Sequence, residues 1–184
     1  MKGRSNDRNV FNNYDMTYQY QYPTPEGFDN LFMHSDGVAL TGLWFDNTHA
    51  SLRHSFSGKE EYLPVFRHTC RWLDTYFSGH QPEFTPLYRI NNSTPFRRDV
   101  LELLCSIPYG QVLTYGQIAT AVAQQRGFPK VSARAVGGAV GWNPIAIIIP
   151  CHRVVGVGNK LTGYNGGIQN KSALLSLEQQ GNHE

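Results

Sequence analysis

Ile147-Ile148-Ile149-Pro150-Cys151-His152-Arg153-Val154 sets a β-branched apolar run against a chemically equipped turn. The run drives the backbone inward. Pro150 then stops any regular ladder or helix, because it lacks an N–H and restricts the residue before it. A thiol, a base and a cation follow directly. Cys151 therefore sits at the end of a buried element, in company that can lower a thiol pKa and make a nucleophile. A second reading stands beside this one: free cysteine is among the most buried residue types and often serves as a small hydrophobe. In an extended segment neighbouring side chains point opposite ways, so His152 needs a local turn or a bridging water to act on the sulfur.

Downstream, residues 170–180 read as a helix with Lys171, Leu174, Leu175 and Glu178 on one stripe. A carboxylate facing inward beside two leucines needs a partner, and His152 is one candidate. A solvated position at the rim of the stripe is the alternative. Gly156-Val157-Gly158 and Gly163-Tyr164-Asn165-Gly166-Gly167 fail the dinucleotide fingerprint, because Leu161 stands where its third glycine is needed. They read as loops near the thiol, with Tyr164 walling a pocket.

Upstream, the chain is largely helical. Residues 96–107 form a helix ended by Pro108-Tyr109-Gly110. Thr114-Tyr115-Gly116-Gln117 fits a capping box that opens a helix to about Ala123. Ser132 caps a second short helix over residues 133–140, closed by Gly141. Two short helices joined by a turn suggest a helix-turn-helix, a pairing also common in domains that never meet DNA. The second helix, Arg134-Ala135-Val136-Gly137-Gly138-Ala139, carries little bulk, and each interior glycine costs about 1 kcal/mol relative to alanine. Something approaches that backbone closely: a neighbouring helix, or a nucleic-acid strand with Arg134 projecting into it.

The first half is built differently. Residues 1–15 read as a disordered leader, with no apolar stretch that would make a signal peptide. Residues 16–22, 31–35 and 39–45 read as strands of a small antiparallel sheet, separated by Pro-Glu-Gly and Ser-Asp-Gly turns. Residues 60–77 read as an amphipathic helix with Leu63, Phe66, Cys70, Leu73 and Phe77 inward. The Pro-rich segment 81–94 separates the two halves, giving a leader over 1–15, an N-terminal unit over 16–92 and a C-terminal unit over 93–184.

With 40% hydrophobic and 16% charged residues, the composition is that of a soluble globular protein, and no apolar run is long enough to span a bilayer. Three scattered cysteines exclude a disulfide framework and a four-thiolate zinc site, and they fit a reducing, cytoplasmic compartment. Cys70 and Cys105 are expected to be packing residues. Residues 1–92 carry 8 basic and 10 acidic side chains, and residues 93–184 carry 8 and 4. A polyanion partner for the second half would use that imbalance, which ordinary surface charge also explains.

Pro150-Cys151-His152-Arg153-Val154 resembles the active-site motif of the O6-alkylguanine-DNA alkyltransferases, also called methylated-DNA–protein-cysteine methyltransferases. The resemblance extends in order through Ile107-Pro108-Tyr109-Gly110, Thr114-Tyr115-Gly116-Gln117-Ile118-Ala119, Arg134-Ala135-Val136-Gly137-Gly138-Ala139 and Asn143-Pro144. It continues through Leu161-Thr162-Gly163-Tyr164, Gly166-Gly167, Lys171, Leu174-Leu175 and Glu178. It is strong over about residues 94–181, whereas residues 17–92 follow the family only in pattern. Leu101 departs from the tryptophan common in the family, a packing change, and the loop 124–131 is longer than in some members.

The resemblance implies an α+β protein: a small N-terminal ribonuclease H-like α/β domain with an antiparallel sheet, and a mostly helical C-terminal domain with a winged-helix-like helix-turn-helix. It implies no cofactor and no metal. The partner would be double-stranded DNA bearing O6-alkylguanine, with O4-alkylthymine an open second substrate. The protein would be a monomer that binds the minor groove and flips the base. Cys151 would take the alkyl group once and keep it. His152 would accept its proton through a water, Glu178 would orient His152, and Asn143 would brace the site. Tyr115 would hydrogen-bond the guanine. Thr114, Tyr115, Arg134, Ala135, Gly137 and Gly138 would meet DNA, with Arg134 filling the vacated stack. Val154, Tyr164, Asn165 and Lys171 would form the substrate pocket.

Three other readings compete. A branch of the same family binds alkylated DNA without repairing it, but carries tryptophan where Cys151 stands. A Cys-His hydrolase would need an oxyanion hole, with Glu178 as the orienting residue. A redox thiol would need a resolving cysteine, and there is no CxxC.

Overall fold

The computed structural model describes residues 17–46, 48 and 58–181. The expected leader and Met16, the first residue of the first expected strand, lie outside the described residues. Strands β1 (Tyr18–Tyr22), β2 (Leu31–Ser35) and β3 (Leu40–Phe45) form the expected antiparallel meander. Alternation is visible in β2, where Leu31, Met33 and Ser35 are buried between half-exposed neighbours.

Residues 59 and 60 correct the sequence reading. Lys59–Glu60 is a short strand, β4, that pairs parallel with β1, so the sheet order is β3-β2-β1-β4. Helix α1 starts only at Pro64 and runs Pro64–Phe77. The residue before a proline is pushed out of the helical region, and Leu63 is extended with ψ 158°. The inward stripe is also shifted: Phe66, Thr69, Leu73 and Tyr76 are fully buried, while Cys70 and Phe77 lie at the margin.

Four helices follow: α2 (Pro95–Cys105), α3 (Tyr115–Arg126), α4 (Ala133–Gly141) and α5 (Ile168–Gly181). The capping box is present: Gln117 N donates to Thr114 Oγ1 at 3.2 Å and Thr114 N to Gln117 Oε1 at 2.8 Å. Helix α3 runs past Ala123 because its stop is Gly127, which takes the left-handed φ of 65°. Gly141, by contrast, lies inside the last turn of α4, and Trp142 is the cap. Cys105 ends α2 and is exposed, so it is a surface residue and not a core one.

The isoleucine run is not a strand. Residues 146–149 form turns, with Ile147 at φ 66°, and Cys151 N donates to Ile149 O at 2.8 Å around Pro150 (φ −80°, ψ 62°), an inverse γ-turn. A β-branched residue in the left-handed region costs about 1–3 kcal/mol and persists only where its surroundings over-determine it. Here they do: Leu43 N donates to Pro144 O and Ala146 N to Leu43 O, both at 2.9 Å, while the Asn143 amide holds the Ile149 carbonyl. The local preference for strand loses to those contacts.

One hydrophobic core joins sheet and helices; it includes Leu31, Phe66, Leu73, Leu104, Ile118 and Leu174. No described helix is long and apolar enough to cross a membrane.

Candidate active site

Cys151 opens a single 3-10 turn, Cys151–Arg153, that leads into strand β6 (Val154–Val155). That strand pairs parallel with β5 (Leu113–Thr114), the two residues before α3. The pairing brings Tyr115, the first residue of α3, beside the thiol segment. Asn143, just beyond α4, donates from Nδ2 to Cys151 Sγ at 3.0 Å and to Ile149 O at 2.8 Å, while its Oδ1 accepts from Ile145 N at 3.0 Å. A cavity of about 340 Å³ opens over the sulfur, lined by Tyr115, Gly137, Asn143, Tyr164 and Asn165, among others.

His152 is fully buried behind the thiol. Its Nε2 lies 2.7 Å from Glu178 Oε1. The carboxylate can only accept, so Nε2 carries the proton and Nδ1 is the basic nitrogen of the neutral ring. Nδ1 is buried and has no hydrogen-bond partner among the described residues.

Glu178 is also fully buried, which settles the choice left open by its stripe. Tyr76 OH donates to Oε1 at 2.7 Å, Arg153 donates from Nη2 to Oε1 and from Nε to Oε2 at 2.9 Å, and Gly110 N donates to Oε2 at 3.0 Å. Arg153 Nη1 also donates to Ile107 O at 2.7 Å. Burial alone would raise the Glu178 pKa, but the bonds and charges of His152 and Arg153 outweigh it and hold the carboxyl well below the usual range. For His152, burial opposes the charged form more than Glu178 favours it, so its pKa is lowered and the ring is neutral near pH 7. These opposite outcomes leave an ionised carboxylate hydrogen-bonded to a neutral imidazole.

The thiol corrects an expectation. Burial pushes the Cys151 pKa up, and the hydrogen bonds of Asn143 and Tyr164 and the charge of Lys171 only partly offset it. The resting group is a buried neutral thiol, not a free-standing thiolate.

Each residue singled out in the sequence has a definite place. Val154 and Lys171 are fully buried outside the cavity lining, and Lys171 Nζ donates to Val154 O at 2.6 Å and Thr162 O at 3.4 Å. That ammonium ties β6 to the loop carrying Tyr164. Asn165 donates to Gly141 O, joining the same loop to the end of α4. Thr114 is spent on the α3 cap, and Gly137 lies against the Tyr115 ring. Arg134, Ala135 and Gly138 are exposed on the outer face of α4.

Tyr76, Trp44 and Phe45 are additions that sequence reasoning missed. Tyr76 reaches the site from α1, 102 residues before Glu178. Its signal was a tyrosine three residues beyond Leu73 on a buried stripe, since a buried phenol needs a partner. Trp44 and Phe45 line the cavity from β3. Arg153 was visible as a cation, but not as a partner of Glu178.

Residues 95–180 match the family model described as 6-O-methylguanine DNA methyltransferase, DNA binding domain. A methylated-DNA–protein-cysteine methyltransferase of Haemophilus influenzae is 38% identical over 161 residues, covering 88% of this chain and 86% of that protein. One from Mycobacterium tuberculosis is 51% identical over 106 residues, 58% of this chain and 61% of that protein. The crystal structure of M. tuberculosis OGT in complex with DNA matches with a TM-score of 0.75 and 36% identity, covering 89% of this chain and 94% of that one. With a buried Cys-His-Glu arrangement and a likeness that spans nearly all of both chains, this chain belongs to the methylated-DNA–protein-cysteine methyltransferase family.

Proposed function

We propose that this protein repairs DNA by moving the alkyl group of O6-alkylguanine to Cys151, once and irreversibly. The observation that carries the reading is a buried thiol facing a cavity, with a neutral His152 held by an ionised Glu178 behind it. The Cys151 proton passes through a water to His152 Nδ1. Sulfur attacks the alkyl carbon, an S–C bond forms, the C–O6 bond breaks, and its electron pair stays on the guanine. The Tyr115 hydroxyl stabilises the departing base. Asn143 keeps the sulfur aimed, and Lys171 holds the pocket loop against β6 behind Val154. A soft sulfur nucleophile displacing at carbon needs a dry pocket and a stabilised leaving base, and no metal.

The target atom is stacked inside duplex DNA, so the base is flipped into the cavity. The outer face of α4 suits close approach to the minor groove, because Ala135 and Gly138 present little bulk there. Arg134 enters the stack that the base leaves. We read the protein as a cytoplasmic monomer with access to DNA.

Intact-mass measurement tests the reaction. A duplex with one O6-methylguanine should add about 14 Da to the protein, on the Cys151 peptide, with one equivalent transferred per chain. Turnover beyond one equivalent, or label on Cys70 or Cys105, overturns it.

Arg134 separates flipping from chemistry. Arg134→Ala should slow repair in duplex DNA by about tenfold or more, with far less effect on reaction with free O6-alkylated guanine, which needs no extrusion. Placing the lesion opposite a mismatch should restore part of the lost rate. Equal losses on duplex and free base would assign Arg134 to the fold instead.

A further inference from the structure

The N-terminal sheet contributes a wall to the alkyl pocket. Strand β3 is the edge of its sheet, and the segment that follows α4 pairs with it: Leu43 N donates to Pro144 O and Ala146 N donates to Leu43 O, both at 2.9 Å. This clamp sets the next two residues, Trp44 and Phe45, against the cavity over Cys151, where Ala146 is also a lining residue. Trp44 is 5% exposed and Phe45 fully buried, so neither is a mobile surface ring.

The Trp44 indole has a fixed seat. A Cβ added at Gly42, two residues earlier on the same face of β3, would fall 1.9 Å from the indole Cη2 and 2.3 Å from Cζ3. The ring therefore lies directly over the glycine, in space that any side chain would take. The His34 ring meets it edge-on, with centroids 5.3 Å apart and planes at 78°. Phe45 packs against another part of the lining: its Cδ2 lies 3.0 Å from a Cβ added at Gly166, in the loop that carries Tyr164.

In-line displacement at the alkyl carbon puts sulfur and O6 at opposite ends of one axis. Anything larger than methyl then projects sideways from that axis into the cavity wall. Asn143 aims the sulfur, and Ala146, three residues on, lines the same cavity as Trp44. We propose that Trp44, seated on Gly42 and following the residue that pairs with Ala146, limits the size of the alkyl group that Cys151 accepts. The proposal rests on the alkyl-transfer reading above and assigns its substrate range to a residue of the N-terminal sheet.

The test uses the full chain, Trp44→Ala and Trp44→Phe, with two duplexes identical except for O6-methylguanine or O6-benzylguanine. Rates come from the growth of the methylated and benzylated masses, and the readout is their ratio. One methylene in an apolar pocket changes discrimination by about 10- to 200-fold. The benzyl-to-methyl ratio should therefore rise at least about tenfold in Trp44→Ala, and by less in Trp44→Phe. A ratio that is unchanged or lower in the folded variants overturns the proposal. Trp44→Phe keeps the test decisive where Trp44→Ala does not fold. A wild-type chain that gains no methyl mass from the first duplex refutes the alkyl-transfer reading itself, a result distinct from an unchanged ratio.

Discussion

Cys151→Ala is expected to abolish alkyl transfer while the protein still binds duplex DNA. No other thiol can replace it. Burial pushes the Cys70 pKa up to about 11, and the Cys105 thiol is also raised, because its sulfur is partly desolvated although the residue lies at the surface. Neither lines the cavity over Cys151. Cys105 Sγ lies instead 3.9 Å from the Tyr88 hydroxyl. The substitution removes one small buried side chain, and Asn143 Nδ2 keeps its bond to Ile149 O, so the turn retains a brace. The proposed DNA-facing residues of α4 are untouched. Intact mass should show no added alkyl group, and anisotropy with a labelled duplex should show affinity within about threefold of wild type, since phosphate contacts dominate affinity. Alkyl label on the variant would show a second acceptor. Lost binding would show that the thiol supports the DNA-facing surface.

Removing His152 or Glu178 should cost nearly as much as removing both. In the proposed reaction Glu178 acts only through His152, because its lone pairs are committed to Tyr76, Arg153, Gly110 and His152. General-base assistance typically contributes about 10²–10⁴-fold, so His152→Ala and Glu178→Gln should each slow transfer within that range. The double variant should be slower by only a small further factor. Losses that multiply fully would mean the two act independently. Glu178 also carries stability. Folding lowers its pKa, so its contribution is complete above the unfolded value near 4.5 and is lost as pH falls toward the folded one. Glu178→Gln should remove that part of the acid-induced loss, as read by thermal melts below about pH 5. Glu178→Ala should destabilise by up to about 3–5 kcal/mol, because it leaves the part-buried Arg153 guanidinium without its counter-ion.

Much of the site is legible in the sequence, because its signals are short. The Thr114–Gln117 capping box, the Ser132 cap and the spacing of Lys171, Leu174 and Glu178 on α5 each rest on hydrogen bonds or side-chain spacing within about one turn of helix. Adjacency of Cys151 and His152 is written in the chain itself. At the start of α1 the reading erred for a local reason, because Pro64 holds Leu63 extended and the helix begins only there, while Lys59 and Glu60 are held as an edge strand by pairing with β1.

What sequence alone determined is therefore the set of chemically able groups and the helices that carry most of them. Tertiary structure decided how those groups behave. It folded the isoleucine run into turns because contacts from β3 and Asn143 outweigh a β-branched preference for strand. It raised the Cys151 pKa and lowered those of His152 and Glu178, since desolvation and buried charge belong to the whole surrounding shell and to no single neighbour. It delivered Tyr76 to Glu178 and Trp44 and Phe45 to the cavity, across separations of the order of a hundred residues. Such meetings leave no periodic trace in a chain, because they depend on where two separately formed surfaces pack.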